Sequence, residues 1–93
     1  MARVAALIRV EGRVQGVGFR WWLSARADEL GLAGWVRNRR DGAVEALAIG
    51  EPAAIAQLVE SCHPGPAAAE VRSVTTEPAA DDGADGFEQR ATV

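Results

Sequence analysis

The order of hydrophobic periodicities predicts an α+β fold of the split βαβ type: an antiparallel sheet of four to five strands with two helices on one face. Period-two alternation and helical apolar spacing follow one another as strand, helix, strand, strand, helix, strand (βαββαβ). The dipeptide Asp41-Gly42 between two apolar runs marks a two-residue hairpin turn. At 93 residues the chain buries somewhat more than about 60% of its unfolded surface, enough for one core and not for two. Residues 1–93 are therefore read as a single domain.

From about Arg3 to Gly12 the chain alternates and carries Val4, Leu7, Ile8 and Val10, which suits a first strand. A glycine-rich run, Gly12-Arg13-Val14-Gln15-Gly16-Val17-Gly18, then interrupts it. Phe19, Trp22, Leu23, Ala27 and Leu30 recur at helical spacing, and Gly31 follows where a left-handed cap is expected. Trp35 and Val36 open a second strand running to Arg40, and the Asp41-Gly42 turn leads into a third, Val44 to Ile49. Pro52 suits the first turn of a second helix whose apolar face is Ile55, Leu58, Val59 and Cys62. His63-Pro64-Gly65-Pro66 stops it. Val71 to Thr76 reads as a fourth strand, Ala79 to Gly86 as an acidic loop expected to be mobile, and the tail from Phe87 as a short fifth strand.

Composition narrows the function. Hydrophobic residues at 48% and charged residues at 25% are ordinary for a folded soluble chain and argue against a disordered, fibrous or membrane class. A net charge of -3 disfavours a dominant attraction to nucleic acid or to a membrane surface, so an anion site has to be local. Cys62 has no partner for an internal disulfide, and His63 is the only histidine, which leaves no Cys/His set for zinc; no metal and no cofactor is expected. The apolar stretch Val4 to Ile8 is too short for a spanning helix or a signal-peptide core, and a cytoplasmic location is expected. All ten basic residues are arginine, so a lysine P-loop and Schiff-base chemistry are excluded.

Gln15-Gly16-Val17-Gly18-Phe19-Arg20 lies between a strand and a helix, where successive N–H groups converge and the helix N-terminus adds positive partial charge. Gly16 and Gly18 allow positive φ and close approach to a ligand, and Arg20 supplies a planar fork of donors for phosphate oxygens. The plainer alternative is a tight turn followed by a solvated arginine. Trp21 stands where G-x-G-x-x-G needs glycine, and no Gly-Lys-Ser/Thr ending follows, so the loop fits one phosphoryl group rather than a nucleotide triphosphate. Asn38, the only asparagine, sits in a strand, where that residue is disfavoured. Its carboxamide both donates and accepts, which suits the positioning of a water, or else it satisfies backbone groups beside the hairpin.

Two stretches together, Gly12 to Arg20 and Gly34-Trp35-Val36-Arg37-Asn38-Arg39-Arg40-Asp41-Gly42-Ala43-Val44-Glu45, resemble the two signature segments of the acylphosphatases. The resemblance extends to Glu29-Leu30-Gly31-Leu32 and to Gly65-Pro66 with Ala69, Val71 and Val74. It implies the same ferredoxin-like fold, and an enzyme that hydrolyses the carboxyl-phosphate anhydride of a small-molecule acyl phosphate without a metal. It also implies a phosphate cradle of Gln15, Gly16, Val17, Gly18, Phe19 and Arg20, with Arg20 binding phosphate and Asn38 orienting the attacking water. Inorganic phosphate or sulfate would be the product-like ligand. The chain departs from the family at its end, where Phe87-Glu88-Gln89-Arg90-Ala91 keeps only the first residue of a Phe-x-Ile-x-Tyr pattern, and at Trp21-Trp22, which stand for a Tyr or Phe pair.

The remaining candidates have bland readings. Trp21, Trp22 and Trp35 are expected to pack in the core, Cys62 to be a small core hydrophobe, and His63 to lie at the surface. Arg37, Arg39 and Arg40 form the one basic cluster, a solvated hairpin or, for Arg39 and Arg40, a means of steering an anionic substrate. The rival functions are an RNA-binding ferredoxin-like module, which needs exposed strand aromatics, a phosphate-sensing domain without turnover, and a relative of the acylphosphatase-like domains of carbamoyl-transfer maturation proteins. Nothing in the sequence demands more than a monomer.

Overall fold

The computed structural model describes residues 3–93. Its elements are β1 (Val4–Arg13), α1 (Phe19–Glu29), β2 (Ala33–Asn38), β3 (Val44–Gly50), α2 (Pro52–Cys62), β4 (Glu70–Ala79) and β5 (Phe87–Gln89). They form one five-stranded sheet in the order β4-β1-β3-β2-β5. The four long strands pair antiparallel, as expected, but β5 joins β2 in parallel, so the sheet is mixed rather than wholly antiparallel. No helix among the described residues is long and apolar enough to cross a membrane.

Strand alternation sorts the side chains to two faces. On the helix side, Ile8, Val10, Val36, Val44, Ala46 and Ala48 pack with Phe19, Leu23 and Ala27 of α1 and with Ile55, Leu58 and Cys62 of α2. On the other side Ala5, Ala33, Trp35, Leu47 and Ile49 form a smaller cluster. Trp35 is 8% exposed. The guanidiniums of Arg37 and Arg90 lie 4.5 and 5.1 Å from its ring centroid, close enough for cation–π attraction. The open face therefore presents a covered aromatic, not the bare stacking platform of an RNA-binding sheet.

Several element boundaries differ from those periodicity predicts. β2 ends at Asn38 rather than Arg40, and Arg39 to Ala43 separate it from β3, with Asn38 opposite Val44 and not in the register a two-residue Asp41-Gly42 turn gives. β1 continues past Gly12 through a bulge between Glu11 and Gly12. A Cβ on Gly12, whose φ is +128°, would lie 2.2 Å from the carbonyl oxygen of Glu70, so glycine is what lets β4 approach. Gly34 is tighter still: its Cβ would lie 1.8 Å from the carbonyl oxygen of Leu47. β4 runs through Pro78 because it is an edge strand, where a missing N–H donor is tolerated. α1 ends as predicted at Gly31 (φ +69°): Gly31 N–H donates to Asp28 O at 3.1 Å and Leu32 N–H to Ala27 O at 2.9 Å, a Schellman closure. The 79–86 loop is tied down by the Arg3 guanidinium, which donates to both Asp81 carboxylate oxygens and, at 3.0 Å, to Ala84 O.

Candidate active site

The turn from β1 into α1 builds the site's floor. Gly16 and Gly18 both hold left-handed backbone, at φ 73° and 78°. Nothing lies within 4 Å of where a Cβ would sit on either, so glycine is required by conformation and not by crowding. Gly18 is also the N-cap of α1, and no side chain caps the helix. Helix geometry leaves the N–H groups of Gly18, Phe19, Arg20 and Trp21 without an intrahelical acceptor; the first helical bond runs from Trp22 N–H to Gly18 O at 3.0 Å. Four donors and the positive end of an 11-residue helix dipole thus share one turn.

A cavity of about 150 Å³ opens there, lined by Val14, Gly16, Gly18, Phe19, Arg20, Trp21, Asn38 and Gln89. Arg20 is half-buried, and Nη1 donates to Arg90 O at a long 3.4 Å, leaving most of its fork uncommitted. Asn38 ends β2 on the helix-facing side, its position fixed from both flanks: it pairs with Val44 of β3, and its carbonyl accepts Val93 N–H at 3.2 Å. Phe19 is buried, and its ring meets Trp22 edge-on with centroids 5.3 Å apart, which anchors the helix start on the core.

Of the residues expected in the cradle, Gly16, Gly18, Phe19 and Arg20 border the cavity together with Asn38, while Gln15 and Val17 do not. Gln15 acts elsewhere. Its Nε2 donates to Arg39 O at 2.6 Å and Ala43 O at 2.9 Å, latching the cradle to the hairpin that carries Asn38. Any part Gln15 takes in the cradle falls to its main chain. The expected core packing holds for Trp22 and Trp35 but not for Trp21, which is 70% exposed because it sits on the outward side of the first helical turn. Periodicity also missed Gln89, whose signal was the loss of an aliphatic residue two places after Phe87, on the same side of β5.

The basic cluster does not face the cavity. Arg37 and Arg39 lie with Glu45, 2.8 and 3.6 Å from its Oε1, on the side of the sheet away from the helices. Arg9 binds Asp41 at 2.6 Å and holds its carboxyl below the usual range, with help from Ala43 N–H. Only Arg40 of the cluster stays exposed. A larger, mostly apolar groove of about 520 Å³ lies between α2 and the β1/β4 edge, lined by residues such as Val4, Ile55, Val59 and His63. His63 is exposed as expected, and Cys62 is fully buried, its thiol pushed up to about 12 by desolvation.

Comparison with known proteins joins this geometry to a family. The acylphosphatase family model matches residues 6–89, spanning both the cradle and Asn38. The chain belongs to the acylphosphatase family. It is 54% identical over 80 residues to an acylphosphatase of Nitrobacter hamburgensis, covering 86% of this chain and 81% of that one. Among solved structures it superposes on an acylphosphatase from Coxiella burnetii with a TM-score of 0.91 at 38% identity, covering 95% of this chain and 93% of that one. The acylphosphatase of Bacillus subtilis gives 0.90 at 39% identity, covering 94% and 98%. Acylphosphatases of this kind therefore share the five-stranded, two-helix sandwich described above.

Proposed function

We propose that this protein hydrolyses acyl phosphates, with the 15–20 loop and Arg20 binding the phosphoryl group and Asn38 orienting the water. The shared cavity carries this conclusion: uncapped helix N–H groups, an uncommitted guanidinium and a strand-end carboxamide meet at a space fit for one small anion.

The chemistry follows from what the cavity offers. A phosphate monoester expels an alkoxide whose parent acid has a pKa near that of water, roughly 15.7, and needs a Lewis or general acid at the leaving oxygen. An acyl phosphate expels a carboxylate whose parent acid has a pKa of about 4.3, judged by a glutamate side chain, and that group leaves unprotonated. Water attacks phosphorus opposite the acyl oxygen, the P–O bond to the acyl group breaks, and its electron pair departs with the carboxylate. The proton released by water passes to the phosphate oxygens, so no side-chain base is required. What remains for the protein is to hold the equatorial oxygens, align the nucleophile and stabilise charge in a loose transition state. Arg20 and the cradle amides do the first and last, and Asn38 does the second.

Hydrolysis of benzoyl phosphate against benzyl phosphate, each with and without EDTA, tests this. Turnover of the anhydride alone, unchanged by the chelator, is expected. Monoester turnover of comparable rate, or loss of activity with EDTA, would overturn the proposal.

A further inference from the structure

At about 150 Å³ the cavity is about half the ~300 Å³ at which pockets for drug-sized ligands begin, so an acyl phosphate with a bulky acyl group does not lie wholly inside it. A phosphoryl group on the cradle leaves the acyl portion at the mouth, where the exposed side chain is Trp21. A single exposed apolar residue is ordinary, but Trp21 stands apart in two respects. It is the most exposed large hydrophobic among the described residues, at 70% against 43% for Val4 and 45% for Val93. It also borders the same cavity as Gly16, Gly18, Arg20 and Asn38. Its neighbour Trp22 is packed against Phe19, so the pair is divided, one ring anchoring the helix and the other facing solvent beside the anion site.

We infer that Trp21 is a specificity-determining wall of an acyl subsite that favours flat aromatic acyl groups over short alkyl ones. Gln89, the polar residue that β5 sets beside the same cavity, keeps the rest of the mouth wet, so preference comes from the indole face. This rests on the acyl phosphate reading above. An aromatic group against an indole gains about 3- to 10-fold in affinity beyond the area it buries.

The test uses two nonhydrolysable phosphonates, phenacylphosphonate and acetonylphosphonate, which share the phosphonate and ketone and differ only in phenyl against methyl. Calorimetric titration of the intact protein should show the aryl ligand binding more tightly, by at least about 3- to 10-fold. Trp21→Ala should bring the ratio of the two affinities close to one, and Trp21→Phe should keep most of it. An unchanged ratio in Trp21→Ala, or no preference in the parent protein, overturns the inference. Because the ratio needs no turnover, the two failures separate. A protein that hydrolyses benzoyl phosphate but shows no preference loses only the subsite. One that prefers the aryl phosphonate yet hydrolyses no acyl phosphate loses the proposed activity. Binding of neither phosphonate overturns the subsite, while hydrolysis of benzoyl phosphate still decides the activity.

Discussion

Replacing Gln15 by alanine removes the latch between the cradle and the hairpin, and the structure sets the size of the effect. Two hydrogen bonds are lost, at 2.6 and 2.9 Å. Each accepting carbonyl keeps a main-chain donor: Gly42 N–H reaches Arg39 O at 3.1 Å, and Arg39 N–H reaches Ala43 O at 2.8 Å. Neither is orphaned, so the cost is about 1 kcal/mol per bond and about 2 kcal/mol in all. For a domain of this size that lowers the melting temperature by about 8–16 °C. Because Arg39 follows Asn38 directly, loss of the latch also frees the carboxamide to drift relative to the cradle. A misplacement near 1 Å costs up to about 100-fold in rate, so kcat should fall further than phosphate affinity. Gln15→Glu should be worse at neutral pH, since a carboxylate would face two carbonyl oxygens with no proton to donate. Thermal unfolding and steady-state kinetics of both variants read this out. Melting of Gln15→Ala within about 2 °C of the parent, or equal losses in kcat and phosphate affinity, would refute the reasoning.

Gly34→Ala forces a Cβ to 1.8 Å from Leu47 O at φ +128°, and overpacking with backbone strain should cost about 3–5 kcal/mol, read as a lower denaturation midpoint; a stable variant would mean that β2 and β3 separate easily. Cys62, with its thiol at about 12 and its side chain buried, should resist an aromatic disulfide reagent at pH 8 until denaturant is added; rapid native-state labelling would contradict its placement. Asp81 is lowered to about 2, first by its hydrogen bond with Arg3 and then by Gly83 N–H. Because that folded value lies below the ordinary aspartate value of 3.8, its contribution is complete above about pH 4 and is lost as the pH falls toward 2. Amide protection of residues 80–86 should fall in that window, and an Asp81 carboxyl that titrates near 4 by NMR would contradict the Arg3 tie.

Local signals made most of the sandwich legible. Asp41-Gly42 located the β2–β3 hairpin but not its register, which pairs Asn38 with Val44; Gly31 ended α1, and alternation located β1. The missed features depend on distant contacts. β5 is three residues long, and its parallel pairing comes from the segment returning beside β2, which no local pattern encodes. Gly12 read as the start of the glycine-rich interruption, yet it and Gly34 are each demanded by a neighbouring strand's backbone. At the site, the glycines, Arg20 and Asn38 could be read from residue type and spacing. The side chain of Gln15 could not, because its acceptors lie 24 and 28 residues away. Trp21 was misassigned because adjacent aromatics at a helix start look alike in sequence, while 100° of rotation sends one inward and one to solvent.

The central claim is a division of labour between anion holding and water placement, and phosphate affinity measured beside turnover in two variants tests it most directly. Asn38→Ala should bind inorganic phosphate nearly as the parent does while its kcat falls on the order of 100- to 1000-fold. Arg20→Ala should lose both. Equal loss of phosphate affinity in the two variants, or near-parental turnover in Asn38→Ala, would contradict it.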